Sequence, residues 1–188
     1  MDIPLFKEIL FTTNLTENSR YAFLYAASLA ASHGGTITIL HVIEKDPLPV
    51  EYSLSTFLGE QLWNELKEKR EIGIKNVLIG KRSDAEMIRN ALTTFCNLAN
   101  DNLNTEVLAV KDIIIKAGSV VEEISKVADE VSCDVIIIGP HKKKGSKKTN
   151  VIGRVAKGIL QIADVPIFIV PQVSEKYKSS YIVEKKEY

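Results

Sequence analysis

The chain is poor in cysteine, tryptophan and proline: its 188 residues hold two, one and six of these. Cys96 and Cys133 lie far apart, each inside an apolar stretch. That pattern excludes a disulfide scaffold and a zinc site, and reads as buried thiols in a reducing cytoplasm. Charge of one sign is missing too, since 24 Lys and Arg balance 24 Asp and Glu. Surfaces built for DNA, RNA or anionic membrane carry a basic excess, so none of these partners is expected. No apolar run approaches the roughly 18 residues of a membrane span. The N-terminus, Met1 to Glu8, lacks a basic segment followed by an apolar one. A cytoplasmic protein is the expectation. Catalytic signatures are also absent: there is no H-E-x-x-H, no G-x-S-x-G and no spaced carboxylate pair.

Short, β-branched apolar runs are present in number: Ile9-Leu10-Phe11, Ile37 to Val42, Ile113 to Ile115, Val135 to Ile138, and Ile167 to Val170. They barely alternate with polar residues, as strands buried on both faces of a parallel sheet do. Amphipathic stretches lie between them. Asn18-Ser19 is read as the cap of a helix running to about Ser32, with Tyr21, Leu24, Tyr25 and Leu29 inward and Gly34-Gly35 as its stop. Ser119 and Glu122 have capping-box spacing ahead of a second helix. A third runs from about Asn150 or Gly153 to Ala163. Strand and helix in alternation predict a doubly wound α/β sheet with right-handed crossovers.

One crossover, residues 43–112, is enlarged to about 70 residues where a single helix needs about 12. Two helices are expected in it, about Ser55–Ile79 and Ser83–Asp101, split by Gly80-Lys81-Arg82. Leu62, Leu66, Ile88 and Leu92 should pack inward, with Lys67, Glu68 and Arg70 in solvent. Trp63 suits the same packing face or a partner groove. One domain, residues 1–171, is expected to contain this insertion. The polar tail 172–188 is expected to be mobile or to lie along a partner chain.

In open parallel sheets, ligands collect at the carboxyl ends of the strands. Three segments meet there: Thr12-Thr13-Asn14, His41-Val42-Ile43-Glu44, and Gly139-Pro140-His141 with the loop leading to Gly153-Arg154. That loop carries five lysines between Lys142 and Lys148 and enters a helix whose free amides favour phosphate. A solvated lysine loop with a cap glycine is the competing reading. Neither strong phosphate fingerprint is present.

The ordered set of segments resembles the universal stress protein family. Ile9 to Ser19 is similar to its first strand and helix start, and Leu40-His41-Val42-Ile43 to its second strand. Ala117-Gly118-Ser119, Asp134 to His141, Gly153 and Asp164 to Val170 complete the match. The resemblance implies a flavodoxin-like (Rossmann-like), five-stranded sheet of order 3-2-1-4-5 and a homodimer through strand 166–170. It also implies binding of ATP or another adenine nucleotide, with Mg as companion ion. The family's glycine pattern is kept at Gly139 and Gly153. Lys142 stands at its second glycine, Arg154 at its Ser/Thr, and the spacing is one residue long. Asn14 stands where the family has Asp, Thr12 where it has Pro, and Val42 where adenine meets backbone. The nucleotide site implied is Thr12, Thr13, Asn14, Val42, Ile138, Gly139, His141, Lys142, Gly153, Arg154 and Val155.

The histidines are read as structural: His41 as a satisfied near-core residue, His33 as a helix-end residue, and His141 as a loop donor. Asp134 is read as a turn residue. With no catalytic base in view, a slow ATPase is the most chemistry expected. Two functions follow: a nucleotide-dependent, non-catalytic stress-response switch, or a nucleotide-free dimer that works by binding a protein partner through the enlarged crossover.

Overall fold

A computed structural model describes residues 5–45, 47–74, 84–103, 109–140 and 152–172. Five parallel strands, β1 (Glu8–Thr13), β2 (Thr36–Ile43), β3 (Val110–Ala117), β4 (Val135–Ile138) and β5 (Ile167–Ile169), form one sheet. Their order is β3-β2-β1-β4-β5, the doubly wound arrangement expected from the alternation of runs. From β1 the chain adds β2 and β3 on one side and then β4 and β5 on the other, so the order of connection reverses at β1 while all strands stay parallel. The crevice of such a sheet opens there.

Period-two alternation sends neighbouring side chains to opposite faces. Ile9 and Phe11 of β1 and Ile37 and Ile39 of β2 join one buried cluster, with α1 (Glu17–His33), α2 (Val50–Leu58) and α4 (Asp84–Leu103). Leu10, Leu40 and Ile136 join the other, with α5 (Val120–Glu130) and α6 (Arg154–Ile162). No helix among the described residues is long and apolar enough to cross a membrane.

Helix α1 starts earlier than its expected cap. Thr16 is the N-cap, and Ser19 is the third helical residue. Ser19 Oγ accepts the Thr16 amide at 3.2 Å and donates to the Thr16 carbonyl at 2.7 Å. The inward face also differs: Ala22, Phe23, Ala26, Ala27 and Ala30 are buried, while Leu24 and Leu29 flank them and Tyr25 is exposed. Small alanines let the helix lie close on the sheet, which the larger side chains could not. Gly34, with φ 60°, ends the helix as expected. Ser119 does cap α5, but its hydroxyl makes no cap bond and the expected box with Glu122 does not form.

The crossover contains α2, α3 (Glu60–Ile74) and α4 rather than two helices. Gly59, with φ 86°, separates α2 from α3. The expected break at Gly80-Lys81-Arg82 lies outside the described residues. Leu54, Phe57, Trp63, Ile88, Leu92 and Phe95 are buried in the same cluster as β1 and β2. Leu62 and Leu66 are half-buried against it, and Lys67 and Glu68 are exposed. The Arg70 side chain lies outside the described residues, as does the tail from residue 173 on.

Both cysteines are buried thiols. Burial pushes Cys96 up to about 12. Burial, helped by the Asp134 charge, pushes Cys133 up to about 11. Each is a protonated, unreactive group at neutral pH.

Candidate functional site

The residues expected at the crevice divide between the two faces of the sheet. Thr12, Val42 and Ile138 are buried on the α5–α6 side, and Val155 packs against their cluster. Thr12 Oγ1 donates to the Ile137 carbonyl at 3.3 Å, so its methyl is left to the apolar surface. These four make an apolar floor. At its margin, α6 begins with Gly153 as N-cap and Arg154 as first residue. The first amides of a helix have no carbonyl partner within it and attract anions. Gly153 has φ −65° and ψ 161°, a conformation open to any residue. The Arg154 guanidinium is exposed and lies 3.8 Å from the Glu44 carboxylate.

Thr13 and Gly139 belong to the α1 side. Thr13 Oγ1 donates to Ser19 Oγ at 3.0 Å and accepts the Leu15 amide at 3.1 Å. That bond holds Leu15 at φ 54°, a left-handed conformation that costs a leucine about 1–2 kcal/mol. Asn14 is exposed at the tip of this turn, its Oδ1 accepting the Thr16 hydroxyl at 2.7 Å. A Cβ on Gly139 would sit in ordinary contact with Ala22, at 3.4 Å, so the missing side chain faces α1 and not the floor. His141, Lys142 and the rest of the lysine loop lie outside the described residues.

His41 is half-buried, and its Nδ1 donates to the Thr13 carbonyl at 2.9 Å. Burial lowers its pKa, outweighing that hydrogen bond and the field of Glu44. The ring is therefore a structural tie between β1 and β2, as expected. Because the folded pKa lies below the unfolded one, unfolding takes up a proton as pH falls through the unfolded value. The stability His41 confers is thus present above about 6.5 and declines below it. His41→Asn, whose side-chain N–H can replace Nδ1–H, should flatten the loss of stability between pH 7.5 and 5.5 in urea melts. An unchanged slope would mean other groups set it.

Asp134 and His33 sit at the opposite end of the sheet. Asp134 Oδ2 accepts the amides of Lys7 and Glu8 at 2.7 and 2.8 Å, pinning the start of β1. Lys7 Nζ donates to the His33 carbonyl at 2.6 Å, so a lysine and not His33 meets the negative end of α1. A separate polar groove of about 330 Å³ lies at the β3 edge, lined by Arg89, Thr93, Cys96 and Asp112 among others. It lies beside the start of β3, away from the carboxyl ends of the strands.

The sequence profile of the universal stress protein family matches residues 5–171. The chain belongs to the universal stress protein family. Universal stress protein MJ0577 of Methanocaldococcus jannaschii is 26% identical over 170 residues, covering 88% of this chain and 95% of that one. Universal stress protein A homolog 1 of Coxiella burnetii is 25% identical, covering 88% and 96%. The solved structure of MJ0577 superposes with a TM-score of 0.55 over 92% of this chain and 100% of its own, at 24% identity. UspA from Lactobacillus plantarum reaches 0.59 at 16% identity, covering 89% and 99%. These likenesses share the flavodoxin-like sheet described above.

Glu44 is the residue at this universal stress protein crevice to which the sequence assigns no role. Its position just past β2 is visible in the sequence, but its approach to Arg154 depends on two segments about 110 positions apart.

Proposed function

We propose that this universal stress protein is a stress-response module binding ATP or a related adenine nucleotide, as a switch that hydrolyses it very slowly or not at all. The observation that carries the reading is the buried floor of Thr12, Val42, Ile138 and Val155 beside an exposed arginine at a helix N-terminus. A flat apolar ring suits the floor, and phosphate suits Arg154 and the first amides of α6. The fixed turn Thr13–Asn14 forms one rim, Gly139 brings backbone close, and His141 and Lys142 belong to the loop that would close over phosphate with Mg. A universal stress protein solved in complex with cAMP has the same fold, with a TM-score of 0.50 at 14% identity, covering 89% of this chain and 98% of that one. Hydrolysis is expected to be slow because the sequence carries no catalytic signature.

Residues 1–171 act as one cytoplasmic domain with the crossover built into its core. Edge strand β5 carries Phe168, 44% exposed, whose ring meets that of exposed Tyr25 at 5.9 Å. An exposed apolar edge invites pairing with a second copy, so a homodimer through 166–170 is proposed. The rival reading, a nucleotide-free dimer acting on a protein partner, draws support from Glu44 already standing beside Arg154.

Arg154→Ala separates the two. A charge-assisted hydrogen bond contributes about 1.5–3 kcal/mol, less for so exposed a group, so ATP binding should weaken about tenfold. Adenosine binding should stay unchanged in calorimetry. Equal loss for both ligands would make Arg154 a fold residue, and no adenine binding at millimolar ligand would favour the rival.

A further inference from the structure

Among the described residues, Glu44 and Arg154 form a charged contact at this crevice. Glu44 follows the end of β2, and Arg154 opens α6, which follows β4. In the sheet, β1 lies between β2 and β4, so the pair reaches across the carboxyl end of β1. Its partners stand 3.8 Å apart, with the arginine side chain 90% and the glutamate 57% exposed. The contact is therefore long, wet and weak as a source of stability. Its field is not confined to the arginine, however. The Glu44 charge also acts on half-buried His41, pulling its pKa upward. The Glu44 carboxylate thus acts on both Arg154 and His41, where it opposes the burial that lowers the histidine's pKa.

We infer that Glu44 tunes the charge preference of the crevice, lowering its affinity for nucleoside triphosphates relative to uncharged or singly charged adenine ligands. This rests on the adenine-nucleotide reading above. A phosphate seated on Arg154 lies within several ångströms of the Glu44 carboxylate, which both repels it and neutralises its cation. The penalty grows with ligand charge: none for adenosine, small for a cyclic monophosphate with one charge, largest for ATP with about four. Unit charges a few ångströms apart in a water-exposed site interact by an amount worth several-fold in affinity, and salt reduces it. The carboxylate is therefore a selectivity element and not a support of the fold.

Calorimetric titration of the full chain with adenosine, cAMP and ATP, without added metal, tests this. Glu44→Gln should tighten ATP about fivefold and cAMP about twofold, leaving adenosine unchanged. Glu44→Asp, which keeps the charge, should retain the preference of the natural chain. The ATP gain should shrink in high salt. If adenosine binds and the ATP-to-adenosine ratio does not move in Glu44→Gln, the inference is overturned while the adenine site stands. If no adenine compound binds the natural chain or either variant, the site reading fails and this inference with it.

Discussion

Phe95→Ala should lower the unfolding free energy by about 3–5 kcal/mol, the range for a buried phenylalanine whose cavity cannot collapse. The position predicts this size of effect because Phe95 is a hub between the crossover and the sheet. Its ring lies 5.1 Å from that of Phe23 on α1 and 4.9 Å from that of Phe57 on α2. Phe23 in turn meets Phe11 of β1 at 5.5 Å. The rings form a chain of edge and tilted contacts from α4 to the sheet, each worth about 0.5–1.5 kcal/mol beyond its buried area. Urea melts followed by far-ultraviolet circular dichroism and by Trp63 fluorescence should lose stability together. Trp63 lies on α3, so a shift in its signal alone would mean the crossover unfolds as a separate unit.

Gly35→Ala should cost about 2–4 kcal/mol, for a different reason: overpacking against backbone that has no room to yield. A Cβ there would stand 2.5 Å from the Phe6 carbonyl oxygen and 2.7 Å from that of Lys7. Lys7 O is already bonded to the Thr36 amide at the start of β2, so relief would pull β1 and β2 apart. Gly59 makes the control. Nothing lies within 4 Å of a Cβ there, yet φ 86° and ψ 152° are a conformation essentially reserved for glycine, so alanine should cost about 1–3 kcal/mol through backbone strain alone. A cost at Gly35 below about 1 kcal/mol would mean that the Phe6 and Lys7 backbone yields to the added Cβ.

What the sequence made legible follows from the range of each physical signal. A run such as Val135 to Ile138 is a strand by its own chemistry, and the alternation of strands with helices restricts the topology to few choices. The inward face of α1 was harder to read. Alanine carries little hydrophobic signal, so Leu24 and Leu29 outweighed Ala22, Ala26 and Ala30, which the close approach to the sheet selects. The apolar spacing of Leu58, Leu62 and Leu66 runs across Gly59 without a break, which hides the turn there. At the site, Thr12, Val42, Ile138 and Val155 converge because strand ends and a following helix are fixed by topology. The orientation of Gly139 toward α1, and the approach of Glu44 to Arg154, depend on strand length and helix placement. Local pattern carries neither.

The most direct test of the adenine site is where a ligand acts in solution. Amide resonances of the ¹⁵N-labelled chain, followed during titration with adenosine to millimolar concentration, should move most at Asn14, Val42, Ile43 and Gly153 to Ala156. Residues lining the α4–β3 groove, such as Arg89, Thr93 and Asp112, should not move. Shifts confined to that groove, or no shifts at all, would contradict the account.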